Sequence, residues 1–310
     1  MARDFPERVV GKITEGAGRK AAKLSETATK MSQKATQLAE HADRLDRLAA
    51  HLDALELWTR SAPSSRQPRF TRSDIAEVAV RVADAEGFAA VSMRRLAAEL
   101  DAGTMTLYHY VRTKDELLTL VFDAVLGEVV LPEDQELPED WRDAVTLIAH
   151  RSLAAVRRHP WMLDINDDPG IGPNSVRHFD QTMRAVAKMG GTLQDQLDLV
   201  FAVDEFVFGF ALLERNNFVH DEPGTDRKMI AYVDSLIDSG NYPKLQEMSD
   251  AMGTAALWHR IHEHGRDRRR FDRSLRRLLD GFANDLGVEP PLTRTRTGSS
   301  RTAGSRRRSG

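Results

Sequence analysis

Two short apolar stripes separated by a three-residue turn, within residues 92–117, constrain the fold of this chain more than any other stretch. Leu96, Ala97 and Leu100 stand one, three or four apart, a spacing that puts side chains on one face of a helix. Ser92 precedes them as a cap, because its hydroxyl can accept a hydrogen bond from an N–H of the first turn. Asp101-Ala102-Gly103 follows as a turn, with Asp and Gly both tolerant of a left-handed backbone. The pattern predicts a second short helix over 104–111, too polar and aromatic on one side to be all core. Ala97 is small where the second helix crosses closely. A helix–turn–helix presents the N-terminal end of its second helix to a DNA major groove.

The flanks extend this unit. Thr71-x-x-Asp74 has the form of a capping box and opens a helix with Ile75, Val78, Ala79, Val82 and Ala83 inward, ended by Gly87. Thr113-x-x-Glu116 repeats the capping form and opens a helix to about Val130, with Leu117, Val121, Phe122 and Val125 inward. Leu96-Ala97-x-x-Leu100, then Thr106-Leu107-Tyr108-His109-Tyr110-Val111, then Lys114-Asp115-Glu116-Leu117-Leu118 resembles the tetracycline-repressor (TetR) family of transcriptional regulators. The resemblance begins at Phe70-Thr71 and runs for about fifty residues. Asp101 departs from it, standing where the family usually has the turn glycine. Asp is the next best choice for that backbone.

The resemblance implies a DNA surface residue by residue. Arg94, Thr104 and Met105 match positions that touch base edges. Thr106, Tyr108 and Lys114 match positions that hold phosphates, and His109 stands on the same surface. The chemistry agrees: Arg94 can fork onto guanine, Met105 can touch a thymine methyl, and Lys114 is a cation beside a helix start. Leu107 is expected in the core, and Tyr110 can pack there too.

Downstream, helices are expected over 141–158, 175–189, 193–218, 226–238 and 271–286, with Asn241-Tyr242-Pro243 turning the chain. The 193–218 helix is apolar on more than one face, which predicts burial on more than one side. Phe206-x-x-Gly209-Phe210-x-Leu212-x-Glu214 and Phe271-Asp272-x-x-Leu275-x-x-Leu278-Leu279 resemble the regulatory domain of the same family. In the family, helices equivalent to 193–218 and 271–286 pair with their copies in a homodimer. A small-molecule effector is then expected between the helices, with Trp161, Phe179, Phe201, Glu205, Phe206, Phe210 and Asn216 as candidates, and His178 nearby. The histidines with which the tetracycline repressor holds a metal–drug chelate are replaced here by Val130, Ala155 and Glu205, which argues against that ligand.

The N-terminal sixty residues have no counterpart in the usual family architecture. Ala21, Ala28, Ala35, Ala42 and Ala49 alternate with Leu24, Met31, Leu38, Leu45 and Leu52 in an unbroken heptad pattern. This predicts a coiled-coil helix over about 21–57 and a further association through it. A single amphipathic helix lying on the protein's own body is the alternative. The expected organisation is therefore 1–60 extension, 61–70 Ser/Pro-rich linker, 71–117 DNA-binding domain, 118–286 regulatory and dimerisation domain, and 287–310 a disordered basic tail. The fold class is all-α.

The net charge of −3 is unevenly spread. Residues 1–70 carry 13 Lys/Arg against 9 Asp/Glu, residues 265–310 carry 13 against 5, and residues 71–264 carry 18 against 33. Basic ends around an acidic middle fit DNA contact beside a ligand-sensing body. No cysteine is present, so there is no disulfide framework or thiolate site. No apolar run has the length of a membrane span, and no signal-peptide core opens the chain, so a cytoplasmic location is expected. Asp164-x-Asn166-x-Asp168 has a calcium-loop spacing, but Pro169 replaces the required glycine and Ser175 the bidentate Glu. His259 and His262 share a helix face, yet Glu263 falls one place late for a metalloprotease motif. No metal, cofactor or catalytic residue is therefore expected. The rival readings are a coiled-coil assembly protein with secondary DNA binding, and a metal-dependent enzyme around His259 and His262.

Overall fold

The structure, a computed structural model, describes residues 31, 32, 34, 36, 55–60, 70–165, 169–217, 225–267 and 269–287. Most of the heptad stretch, the 61–69 linker, Asn166, Asp168, Phe218 and the 288–310 tail lie outside these residues. The described residues form helices and turns without a strand. The chain divides into two compact units, residues 1–132 with 154–180 and residues 133–153 with 181–310.

The first unit begins with α1, Arg72–Glu86. Both halves of its capping box form: the Asp74 N–H donates to Thr71 Oγ1 at 3.2 Å, and the Thr71 N–H donates to the Asp74 carboxylate at 2.7 Å. The Thr71 N–H and the Thr71 hydroxyl both donate to the Asp74 carboxylate and hold it below the usual range. Every residue expected inward on α1 is buried. Helices α2 (Met93–Glu99), α3 (Thr104–Tyr108) and α4 (Lys114–Val129) follow. Helix α4 buries Leu117, Leu118, Leu120, Val121, Val125 and Val129, so it is wrapped on several sides rather than along one stripe. Its capping box is only half formed. Thr113 Oγ1 accepts from the Glu116 N–H, but the Glu116 carboxylate turns to the Arg112 N–H at 2.7 Å instead of back to Thr113.

The core of this unit starts earlier than residue 71. Phe70 packs on Tyr110 with ring centroids 5.2 Å apart. Leu57, in the helical turn 55–59, is fully buried in the cluster that holds Ile75, Leu96, Leu107 and Val121. Helix α5, Trp141–Arg158, contributes to both units, as does α6, Pro173–Ala187. Asp123 of α4 accepts from the Ser175 N–H at 2.9 Å in the first turn of α6. Burial pushes the Asp123 carboxyl up, against the lowering effect of the Ser175 and Asn174 bonds.

The second unit contains α7 (Leu193–Asn217), α8 (Thr225–Ile237), α9 (Pro243–Met252), α10 (Thr254–Arg266) and α11 (Arg270–Asp285). The chain turns at Gly240-Asn241-Tyr242, and helix α9 starts at once at Pro243, where no helix was expected. Pro243 sits at the start of α9, the position where its fixed φ and missing N–H do no harm, and Gly253 at φ 84° separates the two helices. On α7, Val200, Val203, Val207, Phe210 and Ala211 are buried, while Phe201 (59% exposed) and Leu213 (55%) face outward. Within one chain α7 is therefore buried on one side, not on several. Helix α11 buries Phe271, Leu275, Leu279 and Ala283.

Candidate nucleic-acid interface

Helix α2 starts at Ser92, whose hydroxyl accepts from the Arg95 N–H at 3.2 Å. It ends in a tight turn in which the Ala102 N–H reaches back to the Ala97 carbonyl at 2.9 Å. The left-handed residue is Asp101, at φ 47°. Gly103 is not left-handed. It is the extended residue before α3, at φ −78°, and its carbonyl accepts from the Thr106 N–H. The turn thus uses the departure from the family pattern as its pivot. Helix α3 is shorter than the expected 104–111, because the chain bends after Tyr108 to send Tyr110 and Val111 into the core.

Only Leu107 of α3 is buried. Thr104, Met105 (72% exposed), Thr106, Tyr108 and the following His109 all face solvent, as do Arg94 on α2 and Lys114 at the start of α4. Two adjacent arginines on α2 divide their roles. Arg95 is engaged by Glu86 at 2.8 Å and by Glu99, whereas Arg94 makes no ion pair among the described residues. A short helix held by one leucine, with an uncommitted guanidinium and ammonium beside it, presents a hydrogen-bonding, cationic face to an anionic groove.

Behind this face lies a clamp with no signal in the sequence. Arg60 forks onto Glu116, Nη1 at 2.9 Å and Nη2 at 2.8 Å, and Nη2 also donates to the Tyr110 carbonyl at 3.0 Å. Glu116 is 2% exposed. Burial raises its carboxyl pKa, but the Arg60 and Arg112 hydrogen bonds and the Arg60 charge outweigh that and hold it below the usual carboxylate range. A second junction joins the far end of α4 to α1. His159 is buried, with Nδ1 2.7 Å from Asp84 and Nε2 3.3 Å from Glu128, and the Trp161 indole N–H donates to Asp84 at 2.7 Å.

The residues expected around an effector are divided between the units, Trp161 and Phe179 in the first and the rest in the second. Trp161 belongs to the first unit, buried and stacked on Phe88 at 5.6 Å with its N–H satisfied. Phe179, Phe201, Glu205 and Asn216 are exposed. Phe206 and Phe210 do meet, and both pack on Phe271 at 5.1 Å. The Arg270 guanidinium lies 4.5 Å over the Phe210 ring, with Nε and Nη2 buried and without a hydrogen-bond partner. The polar residue on the buried flank of α7 is Asp204, not Glu205. Burial pushes the Asp204 carboxyl up to about 6. Burial pushes His178 down. A cavity of about 410 Å³ lies in the first unit, between the Phe88 turn, Lys114, Leu118 and Ile165. His262 Nδ1 donates to the Trp258 carbonyl at 2.9 Å, and no metal-holding group of three or more side chains occurs among the described residues. No helix among them is long and apolar enough to cross a membrane.

A helix–turn–helix with an outward recognition helix, joined to a larger all-helical unit, defines a DNA-binding transcriptional regulator. Residues 75–121 match the profile described as bacterial regulatory proteins, tetR family, and residues 132–286 match that of the tetracyclin repressor-like C-terminal domain. The chain belongs to the TetR family, whose members are regulators of transcription and not enzymes. It is 33% identical over 238 residues to the HTH-type transcriptional repressor DrrR1 of Streptomyces coeruleorubidus, covering 73% of this chain and 83% of that one. It is 31% identical over 235 residues to an HTH-type transcriptional regulator of Saccharopolyspora erythraea, covering 75% and 93%. Among solved structures, apo ActR from Streptomyces coelicolor is similar at TM-score 0.55 and 28% identity, over 71% of this chain and 98% of ActR. ActR solved with actinorhodin is similar at TM-score 0.54 and 27% identity, over 70% and 98%.

Proposed function

We propose that this chain is a homodimeric repressor that leaves its operator when a small molecule binds. The observation that carries the DNA half of this reading is the outward placement of all seven residues assigned to contact. In this reading Arg94, Thr104 and Met105 read base edges, while Thr106, Tyr108, His109 and Lys114 hold backbone. The exposed apolar side of α7, with Phe201 and Leu213, supports pairing with a second copy through α7 and α11. Residues 71–117 act as the reader and 118–286 as the sensor and dimer former. The heptads of 21–57 add a further association.

The effector half rests on the aromatic cluster of Phe206, Phe210 and Phe271 beside Arg270, whose buried Nε and Nη2 have no hydrogen-bond partner. The complex of ActR with actinorhodin supports small-molecule binding here. The signal runs to the reader through the His159–Asp84–Glu128 junction, which ties the corner after α5 to α1 and α4. A swing of α4 would spoil the half-site spacing that a dimer reads. A coupling of about 1–3 kcal/mol would release operator by roughly 5- to 150-fold.

The test uses a duplex that the full-length protein selects from a random-sequence library. Apolar aromatic small molecules, actinorhodin among them, are screened for a rise in melting temperature and a fall in duplex affinity in one preparation. Phe206→Ala should blunt that response and leave ligand-free DNA binding intact. Thermal stabilisation without any loss of affinity refutes the coupling, and failure to select any duplex refutes the reader.

A further inference from the structure

We infer that the helical turn before the linker, residues 55–60, is a working part of the DNA reader, with Arg60 as the positioning residue that sets α3 against α4. This rests on the reading of α3 as the helix that enters the groove.

Tyr110 lies two residues past α3, and Glu116 lies in the first turn of α4. One guanidinium therefore holds both ends of the connection between the two helices, through Tyr110 O on one side and both Glu116 oxygens on the other. The fork geometry fixes direction as well as distance, which a lysine cannot do. Arg72 of α1 braces the same point. Its Nε donates to Tyr110 O at 3.3 Å and its Nη2 to the Arg60 carbonyl at 3.1 Å. The turn that carries Arg60 is itself anchored. Leu57 is fully buried in the core of this unit, and a Cβ at Gly172 would overlap the Asp123 carboxyl first and the Trp58 ring next, so the ring and the carboxyl both pack against that glycine. The Glu56–Arg112 pair at 3.8 Å is exposed on both sides and adds little.

Without Arg60, the buried Glu116 carboxylate keeps only the Arg112 N–H among these partners. A buried charge so stripped must find water or move, and either course frees the start of α4 to turn relative to α3. Reading an operator requires both recognition helices of a dimer at fixed angle and spacing, whereas sequence-independent binding needs only cations near phosphates. Loosening the clamp therefore removes specificity and spares general affinity.

The experiment compares full-length wild type, Arg60→Ala, Arg60→Lys, Glu116→Gln and the Arg60→Ala/Glu116→Gln double variant. Two probes are used: the duplex that wild type selects from a random library, and a random-sequence duplex of equal length. All measurements are made below the melting temperature of every variant. Arg60→Ala should weaken the selected duplex about tenfold or more while changing the random duplex by less than about twofold. Arg60→Lys should fall between, and the double variant should be no worse than the worse single, as expected of two ends of one contact. A folded Arg60→Ala within about twofold of wild type on the selected duplex overturns the inference. Equal losses on both duplexes overturn it too, since they report lost charge or general damage. If Arg60→Ala does not fold, Arg60→Lys decides by the same criteria. If wild type selects no duplex, the reading of α3 has failed and the clamp with it.

Discussion

Replacing Asp204 with Asn should stabilise the protein, and more so as the pH rises. Asp204 lies four residues from Val200, three from Val207 and seven from Ala211 on α7, all buried, so its carboxyl faces an apolar surround. Burial raises its pKa from 3.8 to about 6. The folded chain thus binds this proton more tightly than the unfolded chain. The group costs nothing where both states are protonated, well below pH 4. Its cost grows as pH climbs from about 4 to 6, because the unfolded state ionises first, and is complete above about 6. At about 1.36 kcal/mol per unit, the full cost approaches about 3 kcal/mol, falling to about 1 kcal/mol near pH 4.5. Asn keeps the shape and has no charge to bury. Chemical denaturation of both proteins from pH 4.5 to 8 should show the variant's advantage growing by about 2 kcal/mol across that range. A difference that is flat with pH, or a wild type more stable than the variant at pH 8, would refute the assignment of Asp204 to a desolvated site.

Lys114→Ala should weaken binding to all duplexes and reduce the slope of log affinity against log salt by about one counterion. Arg94→Ala should instead relax base preference, costing about 1–3 kcal/mol on the selected duplex, and equal behaviour of the two variants would reject their division into phosphate and base contacts. Leu38→Asp with Leu45→Asp puts charge into the proposed seam of the heptads. Light scattering should then report a smaller assembly than wild type, and an unchanged mass would favour a helix that does not associate.

Local patterns were read correctly where local physics sets them. The caps at Thr71 and Ser92, the inward residues of α1 and the pivot at Asp101 depend on neighbours within four positions. The clamp was invisible because Arg60 and Glu116 are 56 residues apart and nothing in either flank announces the pairing. The Asp84–His159 contact spans 75 residues, and only the fold brings it together. Which of Asp204 and Glu205 is desolvated was not legible either, because one position on a helix is a rotation of about 100° and takes a side chain from the flank of the buried face to solvent. The surroundings of Trp161 were equally hidden. A tryptophan beside a helix end looks the same in sequence whether it lines a pocket or, as here, stacks on Phe88 and donates to Asp84. Helix α9 was missed because Asn241-Tyr242-Pro243 read as a turn when Pro243 also marks a helix start.

The shallow seating of α3 has a consequence for how such a reader diversifies. Leu107 is its single buried residue, while Thr104, Met105, Thr106 and Tyr108 project outward from a scaffold fixed by other elements. Exchanges at those four positions change stability by no more than the roughly 0.5 kcal/mol typical of surface sites. In the proposed reading, base preference at Thr104 and Met105 can therefore drift or be redesigned with the rest of the chain inherited unchanged. Two copies of one ancestral gene could then part ways at two codons and govern different promoters from one scaffold.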